Sequence, residues 1–177
     1  MTRPQTPAAH ETPAAHAAEA RTGRDRGEQE TPLRLRVVTG EPPAALEVMR
    51  AEARREGHRV LERLAAEWAS GTVRFDRGAE ALLVAYLGDA PAGVGGLTLD
   101  PVLPGVLRMR RFYVRPISRR RGVGRALALT LLDRPERGGR EVVVNAGTAD
   151  AAAFWEAIGF TPDPRRGHTH VLRRSRP

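Results

Sequence analysis

From Leu33 the chain reads Leu-Arg-Leu-Arg-Val-Val, apolar and polar positions alternating at the period of a half-buried strand. After Pro42 and Pro43 the period lengthens. Leu46, Met49 and Ala53 fall on one face of a helix that Gly57 breaks. Val60, Leu61, Leu64, Ala65 and Trp68 share a face of a second helix, which Gly71 ends. Two β-rich runs then flank Gly88-Asp89-Ala90-Pro91, a group with hairpin turn chemistry. A third strand is predicted at 106–114, followed by an apolar helix from near Gly122 that must stop before Pro135. Glu141-Val-Val-Val-Asn145 reads as a short buried strand. Asp150 is placed to cap a helix carrying Phe154, Trp155 and Ile158, which Gly159 stops, and one or two strands fill 160–173.

The order is strand, two helices, three strands, helix, strand, helix, strand or strands, with no internal repeat. It predicts an α/β or α+β sandwich with a largely antiparallel early sheet. Residues 1–31 carry no aromatic or large aliphatic side chain after Met1, so they cannot bury enough surface to order themselves. They are expected to form a disordered tail, with a single domain at 32–177. His10 and His16, within the tail, are read as incidental.

Composition narrows the chemistry mainly by what is missing. The formal charge is +8, which would suit an anionic partner, but all 29 basic residues other than histidine are arginine. That uniform bias weakens charge as a clue. Without lysine there is no ordinary Walker loop and no Schiff base, and without cysteine there is no thiol nucleophile, disulfide or thiolate-bound zinc. The three serines, Ser70, Ser118 and Ser175, stand outside any Gly-x-Ser-x-Gly elbow. A transfer reaction is therefore expected to be direct. No apolar run is long enough to span a bilayer and no signal peptide is seen, so the expected location is cytoplasmic.

The stretch with most chemical content is Arg119-Arg120-Arg121-Gly122-Val123-Gly124-Arg125. A helix N-terminus presents unpaired amides, glycine lets an anion approach them, and arginines add charge and bidentate hydrogen bonds. Between a strand and an apolar helix this suits a pyrophosphate. Leu127 stands where a dinucleotide fingerprint needs its third glycine, which argues against that class.

This stretch, with the Val114-x-Pro before it, resembles the acyl-CoA signature of GNAT-type N-acetyltransferases, whose Gln/Arg-x-x-Gly-x-Gly/Ala core is matched by Arg119, Gly122 and Gly124. Arg120 replaces a glycine that the family often carries. Gly93-Val-Gly-Gly-Leu resembles the family's second-to-third-strand hairpin, and Ala153-Phe-Trp-Glu-Ala-Ile-Gly-Phe160 its Phe-Tyr-x-x-x-Gly-Phe element. The likeness spans 33–173. It implies a central mixed, mostly antiparallel sheet of six or seven strands flanked by about four helices, splayed between its fourth and fifth strands.

The resemblance also implies a function: acetyl transfer from acetyl-CoA to a primary amine of a small molecule or peptide, in a ternary complex and without a metal. Carried over, Phe112, Tyr113 and Val114 would offer backbone groups to the pantetheine and thioester, with a backbone N–H at Val114 stabilising the oxyanion. Arg119, Arg120, Arg121, Gly122, Val123, Gly124 and Arg125 would hold the pyrophosphate. Asn145 would contact the pantetheine, where the family often has an asparagine at the position of Thr148. Phe154 and Trp155 belong to the element beside the cofactor. Trp155 stands where the family often uses a tyrosine as general acid, a step that indole cannot perform.

No base stands out in the sequence. Tyr113 and His168 are candidates, and His168 and His170 are expected to share one strand face. Asp100 and Glu141 are read as turn and strand-end residues. The acceptor pocket is expected to be framed by residues 54–75, the strand ends around 99–111 and the loop 161–168, with Trp68, Phe75, Arg108 and Arg110 as candidates to line it, although Trp68 is more often helix core than ligand contact; Arg74, Arg77, Arg108 and Arg110 hint at an acceptor carboxylate. A catalytically inactive acyl-CoA-binding sensor is the alternative function. A nucleic-acid binder lacks a recognition motif and interleaved aromatics. No nucleic-acid or membrane partner is expected, and the assembly is expected to be a monomer or homodimer.

Overall fold

The computed structural model describes residues 31–164 and 167–173. The expected tail at 1–31 falls, apart from Thr31, outside the described residues. Seven strands and four α-helices follow in chain order: β1 (Leu33–Val37), α1 (Ala45–Arg55), α2 (Val60–Ser70), β2 (Ala81–Leu87), β3 (Ala90–Leu99), β4 (Leu107–Val114), α3 (Val123–Leu132), β5 (Val142–Val144), α4 (Ala149–Glu156), β6 (Thr161–Pro162) and β7 (His170–Leu172). They form one mixed sheet in the order β1-β2-β3-β4-β5-β7-β6. Only the β4–β5 contact is parallel; the other five are antiparallel.

Two apolar layers explain why β2 is a continuous hydrophobic run rather than an alternating one. Ala81, Leu83, Ala85 and Leu87 face the layer built with Val123, Leu127, Ala128 and Leu131 of α3 and Trp155 of α4. Leu82 and Val84 face the opposite layer, with Leu46, Met49 and Ala53 of α1 and Leu61, Leu64 and Trp68 of α2. Each fully buried Leu or Met contributes ~1.5–3 kcal/mol relative to exposure, so the apolar faces seen in the sequence drive both helix pairs onto the sheet.

One irregularity sets up the functional region. Between the pairs Gly96↔Arg110 and Val94↔Tyr113, β4 has two residues, Arg111 and Phe112, opposite the single Gly95. Arg111 takes φ +63° at this bulge. The extra residue re-phases the strand. Leu107 and Met109 face the α3 layer, and so do Phe112 and Val114, whereas Tyr113 faces the α1–α2 layer. Gly95 is required here because a Cβ would lie 2.7 Å from the Phe112 ring.

The cap of α4 differs from the sequence expectation. Thr148, in an extended conformation, accepts a hydrogen bond from the Ala151 amide at 3.2 Å, while Asp150 sits inside the first turn. Asp150 adds a favourable charge near the helix start, but the cap is Thr148.

Candidate active site

The parallel β4–β5 contact is short: Leu107, Arg108 and Met109 pair with Val142, Val143 and Val144. β5 ends there, and β4 continues to Val114 with no strand partner on that side among the described residues. A cleft of about 780 Å³ opens beside this unpaired edge. Its walls include Met109, Phe112, Tyr113 and Val114 of β4, Val144 and Asn145 after β5, Thr148, Ala151 and Trp155 of the α4 region, and Gly57, His58, Arg59, Val60 and Arg63 where α2 begins.

Beyond Val114 the chain makes one turn of 3-10 helix at Pro116–Ser118 and then the arginine-glycine loop. Gly122 precedes α3 at φ +76°, with no side-chain cap and no acidic residue in the first turn of the helix. The leading amides of α3 are therefore free of side-chain acceptors and flanked by arginines, the electrostatics of an anion site. Arg120 has φ +61°, the left-handed conformation that glycine adopts without strain. A Cβ on Gly124 would come within 3.3 Å of the Phe154 ring and 3.5 Å of Val114, so this glycine lets α3 approach α4 and β4.

Charges behind the cleft are tied together. The Tyr113 hydroxyl donates to Glu56 Oε2 at 2.8 Å, and Arg119 donates to the same carboxylate at 2.8 Å. Burial, then the Glu56 hydrogen bond, pushes the Tyr113 phenol above its ordinary range. The Tyr113 hydrogen bond holds Glu56 below the usual carboxylate range, with Arg119 assisting. Arg119 Nε also donates to the Val114 carbonyl at 3.1 Å, linking the strand end to the loop. Arg110 donates to Glu67 at 3.1 Å, and Arg111 binds the same carboxylate. Arg108 pairs with the buried Asp100 at 2.6 Å.

These elements and their order match the acetyltransferase (GNAT) family model over residues 45–160. The chain belongs to the GNAT acetyltransferase family. Among solved structures, an acetyltransferase-type protein from Exiguobacterium sp. 255-15 is similar at 23% identity and TM-score 0.70, covering 80% of this chain and 93% of that one. An acetyltransferase from Streptococcus agalactiae 2603 is similar at 13% identity and TM-score 0.61, covering 80% and 98%. A GNAT family acetyltransferase from Brucella melitensis, solved in complex with acetyl-CoA, is similar at 19% identity and TM-score 0.57, covering 82% and 90%. At these identities the likeness is one of fold. No curated protein gives a significant match.

Within this GNAT framework the expected site residues separate into groups. Phe112, Tyr113, Val114, Arg119, Asn145 and Trp155 line the one cleft. Arg120, Arg121, Gly122, Val123, Gly124 and Arg125 form the adjoining loop and helix start, with Arg125 donating to the Ala157 carbonyl at 3.2 Å. Asn145 donates its amide to the Gly167 carbonyl at 2.9 Å. Trp155 is buried edge-on to Phe112 at 4.9 Å, Phe154 at 4.9 Å and Phe160 at 5.2 Å. It is a packing wall.

Three expectations are corrected. His168 and His170 do not share a strand face: β7 begins only at His170, and His168 precedes it. His168 lines a separate depression with Val143 and Val171, whereas His170 contacts Glu156 of α4 at 3.3 Å. Phe75 is away from the cleft lining: it stacks at 6.3 Å on Trp68, which sits in the α1–α2 layer as helix core in line with its favoured reading, and Arg74 lies over Trp68 at 5.7 Å. Neither Arg74 nor Arg77 lines the cleft. Asp100 is a turn residue as read: its Oδ1 accepts from the Val102 and Leu103 amides at 2.8 and 2.7 Å.

Sequence reasoning placed the segment 54–75 at the acceptor pocket but singled out none of Glu56, His58, Arg59, Arg63 and Glu67 within it. The only advance signal for the arginines was spacing: 59, 63 and 67 recur at helical period, on the stripe whose last member reaches β4.

Proposed function

We propose that the protein transfers an acetyl group from acetyl-CoA to a primary amine of a small molecule or peptide, by direct attack within a ternary complex. The observation that carries this reading is the unpaired edge of β4 opening into a cleft whose Val114 end adjoins an uncapped, arginine-flanked helix N-terminus. Strand-edge amides and carbonyls at 110–114 suit the amide groups of a pantetheine arm, as an added strand would. The amides of the α3 start, with Arg119, Arg121 and Arg125, suit a pyrophosphate. The solved Brucella melitensis protein of this fold holds acetyl-CoA.

In the proposed reaction the amine nitrogen attacks the thioester carbonyl carbon. The C–N bond forms, the C–S bond breaks, and a backbone N–H at Val114 stabilises the intermediate oxyanion. The amine loses its proton to His58, directly or through one water. Among the described residues His58 is the one imidazole lining the cleft, and no carboxylate lines it. Tyr113 is unsuited as a base because its phenol is held protonated by burial and Glu56. The departing thiolate takes a proton from solvent; a thiol pKa of ~8.5 makes it a tolerable leaving group without a side-chain acid.

The buried position of Trp155 favours one alternative, an acyl-CoA-binding sensor without turnover, since indole donates no proton to the thiolate. Thiol release from acetyl-CoA across a broad amine panel decides between them. Turnover is expected, with His58→Gln lowering kcat/KM by about 10²–10⁴. Tight acetyl-CoA binding without thiol release for any amine leaves the sensor standing and ends the enzyme reading. Arg121→Glu with Arg125→Glu is expected to weaken acetyl-CoA binding at least about tenfold; unchanged affinity sinks the phosphate assignment.

A further inference from the structure

We propose that the acceptor amine also carries an oxyanion, a carboxylate or a phosphate, and that Arg59 and Arg63 on the helix wall of the cleft bind it together with Arg110 on the strand wall. The inference rests on the cleft being the acceptor site of the transfer proposed above.

Among the described residues six arginines line the cleft, Arg59, Arg63, Arg108, Arg110, Arg111 and Arg119, and no aspartate or glutamate does. In so arginine-rich a chain that alone decides little. The pairing pattern decides more. Around the fold some arginines have carboxylate partners, such as Arg34 with Asp89, Arg50 and Arg54 with Glu62, and Arg115 with Glu52, while others, such as Arg36, Arg77 and Arg137, have none among the described residues. Within the cleft, Arg108 has Asp100 and Arg119 has Glu56. Arg110 and Arg111 must share Glu67. Arg59 and Arg63 have no side-chain hydrogen bond or ion pair among the described residues.

Their placement follows from the helix. Residues 59, 63 and 67 lie one turn apart on a single stripe. Glu67, the last of the three, reaches Arg110 and Arg111 on β4, so the stripe faces the strand and both unpaired guanidiniums point to the same side. Burial and the neighbouring Arg111 charge also hold Arg110 below the usual guanidinium range, an environment that an added anion relieves.

Charge balance then selects the substrate. A simple alkyl amine is a cation at neutral pH, with a pKa of ~10, and is repelled from a cleft lined by guanidiniums. An amine that also bears an oxyanion is attracted, and the planar guanidinium fork matches carboxylate and phosphate oxygens bidentately. Once the molecule is bound, the surrounding positive charge favours the neutral, nucleophilic form of its amine.

Calorimetric titration of matched amines into the CoA-loaded protein tests this. The pairs are glycine against glycinamide and glutamate against its diamide, for the carboxylate, and 2-aminoethyl phosphate against ethanolamine, for the phosphate. At least one oxyanion-bearing member is expected to bind about tenfold or more tighter than its counterpart without the oxyanion. In Arg59→Gln/Arg63→Gln that preference should vanish while CoA affinity holds. Equal binding within every pair, no binding by any oxyanion-bearing amine, or a preference that survives the double substitution overturns the inference. A parallel loss of CoA affinity also overturns it, by assigning the two arginines to the nucleotide. Thiol release is followed in the same samples. A binding preference without release refutes the transfer and keeps the anion site; release without preference does the reverse.

Discussion

Arg120 concentrates a conflict between backbone and charge. At φ +61° it occupies a conformation that costs an L-residue ~1–2 kcal/mol, part of which glycine would give back through the greater freedom of the unfolded chain. Arg120→Gly is therefore expected to raise stability by about 0.5–1 kcal/mol in urea denaturation. If the loop holds a pyrophosphate, the same change weakens acetyl-CoA binding. A variant that is less stable than the parent would show that the Arg120 side chain contributes more than its backbone costs. Gly124 is a less clean probe of the phosphate site, because any side chain there presses on Phe154 as well as on a ligand.

The loop was legible in the sequence because its chemistry is contiguous: three arginines, two glycines and an apolar helix in a row. His58, Arg59 and Arg63 were legible only as part of a segment at the pocket and not individually, because their roles depend on how α2 lies along β4, a long-range fact. Glu67 is 44 residues from Arg111, and no local pattern joins them. The faces of His168 and His170 were misjudged because alternation holds only within a strand, and β7 starts after His168.

Among the elements, β4 lines the candidate cleft, and its bulge turns Tyr113 to the α1–α2 layer while Phe112 and Val114 stay on the α3 side. The helices and strands were legible from periodicity, since both faces of the sheet are buried and the helix stripes are strong. The bulge was not: Arg111 is an ordinary residue in a positive-φ position, and nothing in its identity marks it. Its partner Gly95 supplies the test. Gly95→Ala places a methyl 2.7 Å from the Phe112 ring and should cost about 1–3 kcal/mol by overpacking, seen as a lower urea midpoint and an altered near-ultraviolet signal from Trp155. Trimming the ring with Phe112→Leu in the same chain should recover part of that loss; if it recovers none, the contact is not the cause.

For the molecule as a whole, ion pairing sets the acid limit. Hydrogen bonds from Arg50, then Arg54, hold the Glu62 carboxyl down to about 2 from 4.5, and Arg115 lowers Glu52 likewise. A carboxyl whose folded value lies below its unfolded one stabilises the fold above the unfolded value and loses that contribution as pH falls through the folded one. Stability is thus expected to decline from about pH 4.5 towards pH 2, and Glu62→Gln should flatten that decline. Denaturation midpoints against pH check this, and raised salt should weaken the effect because the Glu62 pairs are solvent-accessible. A Glu62→Gln profile as steep as the parent's would move the origin of the acid sensitivity elsewhere. Among the described residues no helix is long and apolar enough to cross a membrane.

The three-residue length of β5 has a mechanical consequence. The β5-β7-β6 half of the sheet is stitched to the β1-to-β4 half by three parallel residue pairs, so this seam is where the sheet is easiest to part. A molecule lying in the gap would act as a splint across it. Amide exchange at Val142, Val143 and Val144 should then slow when CoA is added, and melting temperature should climb with CoA concentration. The short β5 would then make a ligand bound in the gap part of the sheet, and the protein's rigidity a readout of how much of that ligand is present.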